Sequence, residues 1–497
     1  MKFLVPRSSS LVLPSPAMLS DIHQALESDS SRESGTLFVE LVARYLSETR
    51  AEAGPVSTAL SVEQIAERFD EAMPRKGKAL REVVERIARD VVRDANHLTH
   101  PMYLGHQVSA PLPAAIWLES AISMLNNSLA VREMSPTLTA IEHRVVRWMV
   151  ELAGFGPRAG GTLTTGGTEA TFTALLAARS RALPDAWVNG VGAHAPVVLY
   201  GEHAHYSVTR AIAQLGLGTR HAIPIPSRHL RMDVDVLAQR IERLFRDGTP
   251  VMAVVATAGS TATGSFDDLE RIGRLCISHG VWLHVDGAHG ASALLSAAHR
   301  GRVRGIEHAS SVAWDPHKMM LLPLSAGLLL VRDERDLDAA FAQKAPYLFH
   351  GAEGERIADQ GVRSFMCSRR ADALKVWFAL QRYGADGIAA LYDHLCAVTR
   401  TLHEAIEDRE DFEALHVPEA NILCFRWLGS PRRAEASLDE LNRELRERYN
   451  RSGRGWITST LLEGRRVLRV TIMNPLTHDK HVTRLLDGLA QEAQTLP

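Results

Sequence analysis

The chain has 497 residues, 45% hydrophobic and 23% charged, which is the composition of a folded protein with ample core rather than a disordered or fibrous one. Lys plus Arg number 56 against 58 Asp plus Glu, so no basic surplus points to nucleic acid and no acidic run to a solvating tail. No window of 18 apolar residues occurs, because Pro323, Ser325 and Gly327 interrupt the nearest candidate at 319–331, and this argues against a membrane span.

Cys276, Cys367, Cys396 and Cys424 are widely spaced and form no CxxC pattern, so they read as reduced thiols and not as a metal site. The first 18 residues contain Pro6, Arg7 and a run of serines, which leaves no unbroken apolar segment for a secretory signal. The expectation is a cytoplasmic enzyme without membrane, metal or nucleic-acid partners.

In chain order, residues 1–34 are rich in Ser and Pro and read as loosely ordered. Leu37, Leu41, Val42 and Tyr45 share one helical face, and a second helix is expected over 80–92. Pro111 and Pro113 break any helix around them; helices are expected over 114–126 and 139–152. A glycine-rich turn, GGTLTTGGTE at 160–169, leads into another. Strands are then expected at 197–200, 221–225, 252–256, 281–285 and 311–314, with helices over 208–215 and 234–245 between them, and a strand pair over 319–331. Asp267 is expected at a helix start. An amphipathic helix over 371–383 closes this part. From Gly384 onward, helices (391–406, 438–449) alternate with strands (421–427, 467–472). Alternation of this kind predicts a mainly parallel sheet with helices on both faces, followed by a small α+β domain. The expected division is an N-terminal helical arm at 1–100, a large domain at 101–383 and the small domain at 384–497.

The stretch 281–320 carries the chemistry. A short apolar run ends in Asp286, followed by Gly287 and Ala288, and a second ends in Asp315-Pro316-His317-Lys318. A carboxylate at the tip of a buried strand is costly unless a cation meets it. One acid and one lysine at two strand ends suit pyridoxal 5'-phosphate (PLP). Its aldehyde needs a lysine, here Lys318, to form a Schiff base. Its ring nitrogen needs a carboxylate, here Asp286, to stay protonated. The turn at 160–169 opens a helix whose free N–H groups and positive dipole end suit a phosphate. Strand-end turns of a parallel sheet gather at one edge, so these distant residues can share one cofactor.

HVDGAHG and DPHK also resemble the cofactor segments of the group II PLP-dependent amino acid decarboxylases, which include the glutamate, aromatic amino acid and diaminobutyrate enzymes. The resemblance runs from about residue 100 to 475, with the motifs in the family's order. It implies the fold type I, PLP-dependent transferase-like architecture and an arm that wraps a second subunit, hence a homodimer. It places the phosphate at Gly167 and Thr168, His205 on the cofactor ring and Thr261 near the 3-oxygen. Ala288 packs on the other ring face. Asp315, His317 and Lys318 complete the cofactor site, with His317 assisting proton transfer. His106, in the stretch HPMYLGHQ, and Arg469, in LRVTIMNP, fall at substrate positions; a planar guanidinium suits a carboxylate.

One departure stands out. The resembling family carries a loop tyrosine that reprotonates the substrate carbon, three residues before a glycine matching Gly361. This chain has Ala358 there, and Tyr347 is too early to match. Decarboxylation of an L-amino acid to its amine and CO2 is the expected activity. The alternatives are an oxidative outcome giving an aldehyde, another PLP lyase reaction, and a non-catalytic PLP-binding regulator.

Overall fold

The computed structural model of the protein describes residues 16–341, 349 and 359–496. The chain divides into two compact units, one ending at His97 and the other beginning at Leu98. The first is helical. It holds Pro16–Asp29 and Arg32–Arg50, then Leu80–Arg86, which runs into a wider-wound turn at Ile87–Val92. The first of these helices lies where the Ser and Pro content predicts loose order. Pro16 stands at its first position, where a proline's missing N–H costs nothing. Among the described residues no helix is long and apolar enough to cross a membrane.

The second unit is built on a seven-stranded sheet. Its strands are β1 (Gly160–Thr164), β2 (Val197–Gly201), β3 (Ala222–Ile225), β6 (Val251–Thr257), β7 (Trp282–Asp286), β8 (Ser311–Trp314) and β9 (Gly327–Val331); a short hairpin, β4 (Ser227–Arg228) and β5 (Arg231–Met232), lies apart from it. The order across the sheet is β1-β9-β8-β7-β6-β2-β3. Pairs β2–β3, β2–β6, β6–β7 and β7–β8 are parallel, and β9 runs antiparallel to both of its neighbours. This is the mainly parallel, fold type I α/β architecture. The expected strand pair at 319–331 is a single strand, since residues 319–326 join no sheet. Reversal of β9 has a consequence for the site. Because β1 is antiparallel to β9, it points the same way as β8, and its C-terminal turn comes to the edge where β2, β6, β7 and β8 end.

Every residue of β7 and β8 is buried, which their continuous apolar runs require. The helix Gly167–Ala182 packs on β7, β8 and β9, and Leu269–His279 on β6 and β7. Two local expectations change. Pro113 begins the helix Pro113–Leu125, because a proline at the first turn needs no N–H partner. The cap before Leu269 is Asp268, whose side chain accepts from Arg271 N–H. Asp267 instead accepts 2.7 Å bonds from the Met232 and Thr257 N–H groups, tying the end of β6 to the hairpin.

A long helix, Ala373–Glu407, is broken at Gly384, where φ is 71°. Beyond it lies a four-stranded antiparallel sheet of β10 (Phe412–Ala414), β11 (Ile422–Trp427), β13 (Arg465–Thr471) and β12 (Thr458–Leu462). Helices Glu435–Arg451 and Asp479–Ala493 accompany it. One face of this sheet meets the turn after β6. Cys424 Sγ lies 3.3 Å from Ala262 O, and a Cβ on Gly264 would approach Ile422 at 3.3 Å.

Within β7, His284 is fully buried, with Nδ1 2.9 Å from Ser311 Oγ. Burial pushes its pKa down to about 3. Its folded pKa lies below the unfolded value near 6.5, so stability is complete above pH 6.5 and falls as the unfolded chain gains the proton first. The loss is about 2 kcal/mol at pH 5 from this residue. Unfolding free energies of wild type and His284→Gln, measured from pH 7 to 5, are expected to differ in slope by about that amount, the variant being flatter.

Candidate active site

Five strand ends converge on one cavity of about 360 Å³. The turn after β1 contributes Thr165 to Thr168, the segment after β2 His205 and Ser207, and β6 with its turn Thr257, Gly259 and Thr261. From β7 come Asp286, Ala288 and His289, and from the segment after β8 come Asp315, His317 and Lys318. Asp286 ends the central strand of the sheet, paired in register with Thr257 on one side and Ala313 on the other. All nine cofactor positions expected from the sequence therefore share this wall.

Lys318 Nζ lies 3.2 Å from Asp315 Oδ2. The lysine is held at this point by a turn in which its own N–H donates to Asp315 O. Asp286 is buried, and burial pushes its carboxyl up while the charges of Lys318 and His205 pull it down. The Ala288 N–H also donates to Asp286 Oδ1, at 3.2 Å. A cationic partner is what such an acid needs to stay ionised.

His205 sits just before the helix Ser207–Gln214. Its Nδ1 accepts the Ser207 N–H at 3.3 Å and lies 2.9 Å from Ser207 Oγ. Nδ1 is thus an acceptor, which leaves the ring proton on Nε2. Burial lowers the His205 pKa, with Asp286 acting in the opposite sense. His317 is anchored from behind. Its Nδ1 lies 2.8 Å from Ala326 O, and Ser109 Oγ donates to its carbonyl. Its Nε2 is 3.6 Å from Asp315.

The Gly167 N–H, expected at the phosphate, donates to Asp315 Oδ2 at 3.0 Å. A carboxylate this deeply buried needs donors, and the helix start supplies one. The glycines here are sterically required. A Cβ at Gly167 would stand 2.8 Å from the Ala288 Cβ, and one at Gly259, where φ is 82°, would stand 2.9 Å from Gly290 N. Behind the same turn, a Cβ at Gly327 would come within 2.5 Å of Gly166 Cα.

Arg469 and His106 are not on the wall of this cavity. Arg469 is buried on β13, opposite Cys424. Its Nε and Nη2 have no hydrogen-bond partner, and no carboxylate lies within ion-pair distance among the described residues. Its charge reaches both His106 and the cavity residue His289. His106 packs against Trp456, with ring centroids 5.0 Å apart. Ala358 and Tyr347 lie outside the described residues. His289 was not singled out from the sequence, although it stands three residues beyond Asp286.

The family described as "Pyridoxal-dependent decarboxylase conserved domain" matches residues 63–428. The chain belongs to this family. It is 34% identical over 428 residues to the L-2,4-diaminobutyrate decarboxylase of Rhizobium meliloti (strain 1021), covering 85% of this chain and 84% of that one. It is 33% identical to the cysteine sulfinic acid decarboxylase of Rattus norvegicus, covering 74% and 75% respectively. The crystal structure of mouse CSAD superposes with a TM-score of 0.87 at 28% identity, covering 97% of this chain and all of that one. The protein is a PLP-dependent amino acid decarboxylase, a carboxy-lyase.

The residues present fit that cofactor. A lysine amine and a buried carboxylate share one cavity, and its glycines admit no side chain. Two buried oxygens on its wall, Asp315 Oδ1 and Thr257 Oγ1, have no partner among the described residues. Lys318→Ala removes the amine. Wild type reduced with borohydride is expected to retain the cofactor through denaturation, and the variant to release all of it, as read by absorbance of the denatured protein.

Proposed function

We propose that the enzyme decarboxylates an L-amino acid to its amine, with Lys318, Asp286, His205 and His317 as the catalytic set and Arg469 as the carboxylate-binding residue. The observation that carries this reading is the lysine and the buried acid on one wall, with an uncompensated guanidinium behind it. When bound, the cofactor supplies an electron sink for the pair left by the departing carboxylate. Lys318 is the amine that holds its aldehyde. Asp286 keeps a proton at the ring nitrogen, and the low dielectric around this acid strengthens the pairing. His205, oriented by the start of its helix, would face the cofactor ring. Ala288 would cover the other ring face, and Gly167, Thr168, Thr261 and Asp315 would hold the rest of the cofactor.

Arg469 has the role its environment favours. A buried guanidinium without a counter-ion is costly, and a bound carboxylate offsets that cost. Strand β13 holds it rigidly from behind, because Thr458 Oγ1 donates to its carbonyl. His106, beside it, is pushed down by burial and by the Arg469 and Arg446 charges, so it is neutral and polar at the same end of the site. His317, clamped by Ala326 and Ser109, is placed to move a proton beside Lys318.

Ala358 favours a second outcome, since the phenol expected at that position is missing: loss of CO2 followed by two-electron oxidation by dissolved O2, which becomes hydrogen peroxide, and hydrolysis by water to an aldehyde and ammonia. Incubating the holoenzyme with a panel of L-amino acids separates the two. CO2 with neither peroxide nor ammonia is expected, peroxide with ammonia marks the oxidative route, and no product from any amino acid would point to a non-catalytic PLP binder. For a substrate that is turned over, Arg469→Met is expected to lower kcat/KM about 100-fold, the size of one to two charge-assisted hydrogen bonds, and Arg469→Lys to recover part of it. An unchanged kcat/KM would remove Arg469 from the site.

The enzyme is further proposed to act as a homodimer. Trp117, Met124, Leu125 and Phe365 are exposed, and large apolar side chains in number favour a covered surface. Sedimentation at micromolar concentration is expected to give twice the 54.6 kDa chain mass.

A further inference from the structure

His289 is buried on the cavity wall, three residues beyond the acid at the tip of β7. Its Nε2 lies 2.7 Å from Asn421 Oδ1. The Asn421 amide has no freedom to turn over, because its Nδ2 donates to Ile472 O at 2.8 Å, and a carbonyl can only accept. Asn421 therefore presents its oxygen to the ring, and His289 must carry its proton on Nε2. Nδ1 is left as a bare lone pair.

That lone pair is buried and has no partner among the described residues. Burial first, then the charge of Lys318, push the His289 pKa down to about 3, and Arg469 adds to this. Protonation thus cannot satisfy Nδ1 at ordinary pH. Two groups stand unfulfilled behind one cavity: a cation with free donors, Arg469, and a neutral ring with a free acceptor. A carboxylate meets the first. Only an N–H or O–H meets the second, and a second anion placed there would face the lone pair.

We propose that His289 is a specificity-determining residue whose Nδ1 accepts a hydrogen bond from the substrate's side chain, so that the enzyme favours L-amino acids ending in an ammonium or hydroxyl donor. This rests on the reading of the cavity as an amino acid decarboxylase site with Arg469 on the α-carboxylate. A site built to bond such a donor discriminates against the analogue that lacks it, because its own polar group is then left unpaired. Asn421 is a positioning residue that acts through the tautomer it imposes.

The test uses matched pairs on the holoenzyme. L-2,4-diaminobutyrate is compared with L-2-aminobutyrate, and L-tyrosine with L-phenylalanine; the first pair reports an ammonium and the second a hydroxyl. L-aspartate is the acidic control. Within the pair that fits the site, wild type is expected to favour the donor-bearing member by about tenfold or more in kcat/KM, and to favour it over aspartate. His289→Phe keeps a flat ring and removes the acceptor, so this ratio is expected to collapse towards one. Asn421→Leu frees the tautomer without touching the cavity wall and is expected to lower the same ratio. Retained cofactor absorbance shows that each variant is folded.

A preference for aspartate in wild type would overturn the proposal. So would ratios that stay unchanged in both His289→Phe and Asn421→Leu, which would mean that Nδ1 meets only water. If wild type releases no CO2 from any of these amino acids, the decarboxylase reading fails separately. The ratio of dissociation constants, from titrating the shift in cofactor absorbance, then decides the role of His289 by the same criteria.

Discussion

A carboxylate at the end of the central strand of a buried sheet is the constraint on which this enzyme depends. Asp286 lies where water cannot stabilise its charge, and burial alone favours the neutral acid. What keeps such a group useful is positive charge brought close by other elements. Lys318 arrives from the next strand and His205 from the far side, and both oppose the effect of burial. The sheet makes this meeting possible, because parallel strands deliver their C-terminal turns to one edge. Reversing β9 adds the glycine turn after β1 to the same edge, so a single antiparallel strand brings the start of the helix Gly167–Ala182 to the site.

Asp315 shows how tightly the charges are shared. One of its oxygens serves both the helix start at Gly167 and the lysine amine, while the other has no partner among the described residues. An acid this deeply buried is stabilised only if its neighbours stay in place. Here the neighbours are backbone and a short turn, which move little. The glycines that permit this packing leave no room for a Cβ, so the wall is rigid for steric as well as electrostatic reasons.

The four-stranded sheet has a different task. Its face bearing Cys424 and Ile422 sits against the turn after β6, and this brings Arg469 and Asn421 behind the cavity. The large sheet carries the lysine and the acid, and the small one carries the guanidinium left without a partner among the described residues. On the proposed reading, selectivity can change at Asn421, just before β11, and on β13 without disturbing the lysine and the acid.

Periodicity and punctuation made most of the elements readable. Strands β2, β6, β7 and β8 follow from short apolar runs closed by glycine or charge, and the nine residues singled out from the motifs at their ends share one cavity. Errors fell where local chemistry is ambiguous. A proline reads as a breaker when it is in fact the first residue of a helix, as at Pro113, and two adjacent acids, Asp267 and Asp268, cannot be told apart as cap and buried acceptor without their partners. His289 was missed for a deeper reason. Its importance lies in the Asn421 amide, 132 residues away, whose orientation is set in turn by Ile472. By itself the sequence determined which residue types stand at which strand ends, since alternation and turn chemistry are local. Only the tertiary structure decided which nitrogen of a buried histidine keeps its proton and which guanidinium is left without an anion, because those depend on contacts between segments far apart along the chain.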